Sequence, residues 1–223
     1  DIKSVVDVLK SDYLTQGPQV PIFEHNVKEF CNAKYAVASN SATSSLHAAC
    51  FALGVSENDI VWTSANTFVA SSNCAIYCGA EVDFIDIDPR TYNICSLKLE
   101  SKLKYAKSQG KLPKVVIPVH LTGQSCDMKK IYDLSKEYNF KIIEDASHAI
   151  GAKYLDSYVG SCEFSDITVF SFHPVKIITS GEGGMATTNI KNIADKLLTF
   201  RTHGITRDEN LIENESDGPW YYE

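Results

Sequence analysis

Short runs of apolar, mostly β-branched residues alternate along the chain with longer stretches whose apolar positions recur at helical spacing. The short runs predict strands over 35–39, 60–64, 82–87, 115–119, 141–145, 167–172 and 184–188. Between the first two, Leu46, Ala49, Cys50 and Leu53 fall at i, i+3, i+4 and i+7, one helical face that Gly54 closes. After Asp127, a residue suited to capping a helix, the pattern returns with Met128, Ile131, Leu134 and Tyr138. Ile193, Leu197 and Leu198 mark another helix before Arg201. The stretch 151–163 has no period and reads as a loop or hairpin, and the polar run 207–218 as an exposed or mobile loop. The later strands are almost continuously apolar, which fits a sheet covered on both faces. Strands alternating with helices in this way imply an open α/β fold with a mainly parallel, seven-stranded sheet and helices on both faces.

A length of 223 residues provides for one large domain or a domain and a half, enough to bury a core. The balance of 21 Lys+Arg against 28 Asp+Glu leaves a net charge of −7, which argues against a nucleic-acid partner, whose binding needs a basic face. No apolar run approaches the ~18 residues of a membrane span, and no basic-then-apolar leader opens the chain. The seven cysteines are odd in number and include no CxxC pair, so the expectation is a reduced, cytoplasmic protein. A start at Asp1 and three aromatics among the last four residues suggest a piece of a longer protein.

Ligands of such sheets gather beyond the carboxyl ends of the strands. Four such places carry candidate chemistry. Ser41, Ala42 and Thr43 follow a strand and open a helix, a plain cap or a cup of N–H donors for a phosphate. Asp145 ends a buried strand ahead of Ser147 and His148. It either caps the next segment or, being costly to bury alone, holds a protonated ring nitrogen. Lys176 follows Ser171 and a strand, between Val175 and Ile177–Ile178 and ahead of a Gly-rich turn. A lysine is usually a solvated charge; one kept in apolar surroundings has the neutral amine that Schiff-base chemistry needs. Phe68 is either core or a flat face for a planar ring. An anion cup, a stacking aromatic, a buried carboxylate and an activated lysine are together what pyridoxal phosphate requires. No metal-ligand spacing such as HExxH competes with this reading, although His120, His148 and His173 with Glu144 and Asp145 leave a metal hydrolase as a weak alternative.

The wording and order of the motifs resemble the DegT/DnrJ/EryC1/StrS sugar aminotransferases, of the aspartate-aminotransferase fold (fold type I). The matching segments are LTQGP (14–18), SNSATSSLHAA (39–49), TFVASSN (67–73), GAEVDFIDID (79–88), PVHLTGQ (118–124), IIEDASHAIGA (142–152), FSFHPVK (170–176) and GEGG (181–184). FHPVK, RTHGITRD and DGPWYYE look most like the members serving pseudaminic acid biosynthesis, which aminate C4 of a UDP-linked 4-keto-6-deoxy-N-acetylhexosamine with glutamate as donor. The resemblance implies that Lys176 is the Schiff-base lysine and proton carrier, that Asp145 pairs with the pyridinium nitrogen and that Phe68 stacks on the ring. It implies His148 near the ring face or its phenolic oxygen, and Ser41, Ala42, Thr43 and Ser171 on the phosphate. Tyr13, Leu14 and Thr15 resemble a segment that touches the nucleotide-sugar. Relatives with His at the lysine position act as dehydratases, and Lys176 argues against that here. The resemblance also implies an N-terminal helical segment (1–34), a cofactor-binding large domain (35–204) and a loop (205–223) toward a small C-terminal domain that is largely absent. A homodimer with a shared active site is expected, and a truncated, non-catalytic module is the alternative.

Overall fold

Residues 1–208, 210, 212–214, 218 and 220–223 are described by a computed structural model. In chain order its elements are α1 (Ile2–Leu9), α2 (Gln19–Cys31), β1 (Tyr35–Ser39), α3 (Ala42–Ala52), β2 (Ile60–Ser64), α4 (Ala70–Tyr77), β3 (Glu81–Ile85) and α5 (Ser96–Gln109). There follow β4 (Val115–Ile117), a 3₁₀ turn (Leu121–Gly123), α6 (Met128–Tyr138), β5 (Lys141–Asp145), β6 (Lys153–Tyr154), β7 (Ser157–Tyr158), β8 (Ile167–Ser171), β9 (Gly184–Thr188) and α7 (Lys191–Arg201). Every predicted strand forms, some a residue or two shorter than the apolar run, and the aperiodic stretch is the β6–β7 hairpin.

The sheet has seven strands in the order β1-β9-β8-β5-β4-β2-β3. Its pairs are parallel except those of β9, which runs against both β1 and β8. Two apolar layers cover it. Val61, Val115, Ile117, Ile143, Ile167, Val169 and Ala186 pack under α3, α4 and α7, whereas Trp62, Val116 and Ile142 pack under α5 and α6. A third cluster joins Val27 and Cys31 of α2 to Phe170 and Met185. Side chains alternate between faces along a strand, so each predicted apolar run supplies both layers. The capped helix after Asp127 forms as expected, with the Asp127 carboxylate accepting from the Lys130 N–H, and it buries Met128, Ile131, Leu134 and Tyr138. In α7 the apolar face rests on Ile193, Ala194 and Leu197, while Leu198 stays 39% exposed.

Helix α1 buries none of its residues, and Ile2, Val5 and Leu9 are exposed. Among the described residues no helix is long and apolar enough to cross a membrane. The polar run 207–218 includes positions 209, 211 and 215–217, which lie outside the described residues.

Candidate active site

β1, β2, β5 and β8 point the same way, so their carboxyl ends deliver the following residues to one rim of the sheet. A cavity of about 390 Å³ opens there beneath α3 and α4. Ser41, Ala42 and Thr43 line it from the start of α3, Phe68 from the loop after β2, and Asp145 and His148 from the end of β5. Ser171 and Lys176 line it from the end of β8 and the loop beyond.

At the mouth of α3, Ser41 adopts extended backbone and its Oγ accepts from the Ser44 N–H at 3.2 Å. Ala42 and Thr43 occupy the first two helical positions, where N–H groups have no acceptor within the helix. This terminus rests directly on β9 because residue 184 is glycine. A Cβ there would lie 2.3 Å from the Ser41 carbonyl carbon and 2.5 Å from the Ala42 nitrogen. Gly184 pairs across the sheet with Ser39 on one side and Ser171 on the other, so the cup and the Ser171 hydroxyl meet at one register position.

Asp145 is 4% exposed. Its Oδ2 accepts from the Ser71 Oγ at 2.6 Å and its Oδ1 from the Ser147 N–H at 3.1 Å; Ser71 is linked in turn to Thr67 Oγ1 at 2.7 Å. The alternation of β5 sends the neighbouring Glu144 to the opposite face, toward α6. There Glu144 accepts from His120 Nε2 at 2.7 Å, from Thr168 Oγ1 at 2.8 Å and from Ser165 Oγ. The Cys126 N–H lies 3.1 Å from His120 Nδ1. Burial by itself would push the Glu144 carboxyl up, but these donors outweigh it and hold its pKa below the ordinary carboxylate value. His120 and Glu144 thus form a buried pair that does not line the cavity, and among the described residues no group of three potential metal ligands converges.

His148 accepts from the Thr122 N–H through Nδ1 at 3.2 Å. Burial first, and the nearby Lys176 charge second, hold its pKa below the usual imidazole value, against the opposing pull of Asp145. Phe68 is not core: it is 72% exposed and offers its ring to the cavity. Lys176 is half-buried in the loop between β8 and β9. The apolar neighbours expected to enclose it do not, since Val175 is 76% and Ile177 65% exposed. Their side chains point outward because the segment is a turn, closed by the Lys176 N–H on the His173 carbonyl, and not a continuation of the strand.

Tyr13, Leu14 and Thr15 do not reach this cavity. All three line a groove against α1, and Thr15 also borders a second groove that runs to Asn40 and Ser44 behind the α3 terminus. The residues missed from sequence are Ser71 and Thr67, and their signal was available: hydroxyls at i and i+4 in TFVASSN, at the start of a helix that follows a strand.

Residues 1–217 match the DegT/DnrJ/EryC1/StrS aminotransferase family. The chain belongs to this family. It is 42% identical over 217 residues to the UDP-4-amino-4,6-dideoxy-N-acetyl-beta-L-altrosamine transaminase of Campylobacter jejuni, covering 96% of this chain and 56% of that protein. Among solved structures, Helicobacter pylori PseC, an aminotransferase of pseudaminic acid biosynthesis, superposes with TM-score 0.84 at 32% identity, over 96% of this chain and 56% of that one. NtdA of Bacillus subtilis, solved with bound PMP cofactor, superposes with TM-score 0.82 at 29% identity, over 96% of this chain and 46% of that one. The chain therefore has the large-domain fold of the fold type I aminotransferases, and it spans about half the length of the curated relatives it matches. Aminotransferases of this family depend on pyridoxal phosphate.

Proposed function

We propose that this chain is the cofactor-binding part of a pyridoxal-phosphate-dependent nucleotide-sugar aminotransferase. The observation that carries the reading is the gathering of Lys176, Asp145, Phe68, His148 and the hydroxyl-rich α3 terminus around one cavity of about 390 Å³. That set fits the group chemically. The close approach that Gly184 permits leaves a cup of N–H and hydroxyl donors suited to a phosphate dianion. A buried carboxylate whose oxygens accept from Ser71 and Ser147 suits a protonated ring nitrogen.

Bound pyridoxal phosphate supplies an aldehyde that carries the amino group and a ring that withdraws electrons from the reacting carbon. The chain's own residues do the rest. Ala42 and Thr43 N–H groups, with the Ser41 and Ser171 hydroxyls, would hold the phosphate. Asp145 would pair with the ring nitrogen, and Phe68 would offer its face to the ring. Lys176 would hold the group through Nζ and would serve as the base for the proton at the sugar carbon that is aminated.

For the substrate we infer amination at C4 of a UDP-linked 4-keto-6-deoxy-N-acetylhexosamine with glutamate as donor, as in pseudaminic acid biosynthesis. The C. jejuni and H. pylori relatives support this. Tyr13, Leu14 and Thr15 are the residues proposed to meet the nucleotide-sugar. A homodimer accords with the apolar side chains left exposed on α4 and the segment before it, Phe68, Val69, Ile76 and Tyr77.

The deciding experiment is borohydride reduction of the chain incubated with pyridoxal phosphate, followed by peptide mass spectrometry. The expected adduct sits on Lys176 and disappears in Lys176→Ala, with the circular dichroism spectrum unchanged. An adduct confined to other lysines, both in this chain and in one of its relatives' full length, would reject the reading. Release of 2-oxoglutarate from glutamate beyond one equivalent per cofactor with UDP-linked but not GDP-linked ketosugar is the expected outcome for the substrate.

A further inference from the structure

The turn after β4 approaches His148 in two places. Thr122 has φ 55° and ψ 18°, the left-handed region that a β-branched residue enters only under constraint. Its N–H is thereby aimed at His148 Nδ1, 3.2 Å away. At the next position, Gly123 has φ +90°, and a Cβ there would come within 3.0 Å of the His148 carbonyl oxygen. The turn is held in this shape from outside. Asn93, 3% exposed in the loop between β3 and α5, spans it with one side-chain amide. Its Oδ1 accepts from the Leu121 N–H at 3.1 Å, and its Nδ2 donates to the Gln124 carbonyl at 2.9 Å. Both ends of the turn are therefore tied to one buried side chain, and the strained residue lies between them.

We propose that Asn93 is a positioning residue: by clamping the turn 121–124 it aims the Thr122 N–H at His148 Nδ1 and so fixes His148 as a neutral imidazole whose only donor is Nε2–H. Only a ring nitrogen with a lone pair can accept that N–H, so the proton must reside on Nε2. His148 lines the cavity, and a ring locked this way presents a donor of fixed identity to an acceptor on the bound molecule. The role toward a ligand rests on reading the cavity as the cofactor site; the tautomer does not. The charged groups that act on His148 are Lys176 and Asp145, and both stay in place in the variants below.

Long-range ¹H–¹⁵N spectra of the imidazoles test this in the cofactor-free chain, with His148 assigned by the signal missing from His148→Gln. The wild type is expected to show His148 as the Nε2–H tautomer, with Nδ1 unprotonated and hydrogen-bonded. Asn93→Ala is expected to weaken that bond and raise the His148 titration midpoint by about half a pH unit, roughly a threefold change in proton affinity. Asn93→Leu keeps the buried volume and adds no charge but lacks both the acceptor for Leu121 and the donor for Gln124, so it moves the midpoint the same way and covers the case in which the alanine variant fails to fold. Thr122→Gly removes the strain, keeps the N–H and should leave the tautomer intact. A wild-type Nδ1–H tautomer, or a midpoint unmoved in folded Asn93 variants, would overturn the proposal. An adduct on Lys176 alongside either result would leave the cofactor reading standing, and an adduct confined to other lysines with the expected tautomer would do the reverse.

Discussion

Asp145 is the side chain whose surroundings matter most to the site, and they are built from hydroxyl and amide donors, not from a cation. A buried carboxylate costs several kcal/mol unless its charge is solvated by fixed dipoles. Ser71 supplies one at 2.6 Å and the Ser147 N–H another at 3.1 Å. Ser71 itself is held by Thr67 at 2.7 Å, so its hydroxyl proton is committed toward the carboxylate. Removing a hydrogen bond to a charged group costs about 1.5–3 kcal/mol. Ser71→Ala should therefore weaken pyridoxal phosphate binding by roughly ten- to a hundredfold. Fluorescence or absorbance titration of the cofactor measures this, and Ser71→Thr, which retains the hydroxyl, should recover most of the loss. Lys176 gives a contrasting lesson. Its apolar neighbours in sequence suggested enclosure, yet a turn sends Val175 and Ile177 outward, so its chemistry depends on what the rim of the cavity provides.

Among the elements, the meeting of α3 with β9 is the junction that shapes the phosphate cup. The helix start can sit on the strand because Gly184 has no side chain, and backbone atoms of Ser41 and Ala42 occupy the space a Cβ would need. Backbone yields less readily than a flexible side chain. Gly184→Ala should therefore push α3 off the sheet and destabilise the chain by about 1–3 kcal/mol, seen as a lower midpoint in urea or thermal unfolding. It should also weaken cofactor affinity, because the donors of the cup and Ser171 meet at this register position. An unchanged unfolding midpoint would show that the junction has slack. The strand β5 makes a second point at this scale. Its pleat divides two adjacent acids, Asp145 to the cavity and Glu144 to the buried pair with His120, so neighbours in sequence do unrelated work.

For the whole molecule, the Glu144–His120 pair links folding to pH. The folded carboxyl titrates below its ordinary value of 4.5, so the unfolded chain takes up the proton first as the solution is acidified. The stability contributed by Glu144 is thus fully present above that ordinary value and is lost as the pH falls through the folded pKa beneath it. Urea unfolding followed from about pH 7 down to about pH 3 should show this loss, and Glu144→Gln should flatten the curve in the acid range. A curve equally steep in the variant would assign the acid sensitivity to other carboxylates. Much of this molecule was legible in the sequence. Strand positions, the helical faces and the residue types placed beyond the strand ends follow from local periodicity, which each segment carries by itself. Lys176, Asp145, Phe68 and the Ser41–Thr43 turn could be picked out on those grounds, because strand ends of a parallel sheet are where ligands gather. Tertiary structure alone decided which of them meet, and with what support. Ser71 reaches Asp145 across 74 residues of chain, and Asn93 holds a turn whose far end lies 31 residues away. Strand order, the antiparallel course of β9 within the seven-stranded sheet and the outward turn at Lys176 likewise belong to long-range packing. Hydrophobic pattern specifies that a segment buries one face or both; which partner it meets there depends on how all the segments pack at once.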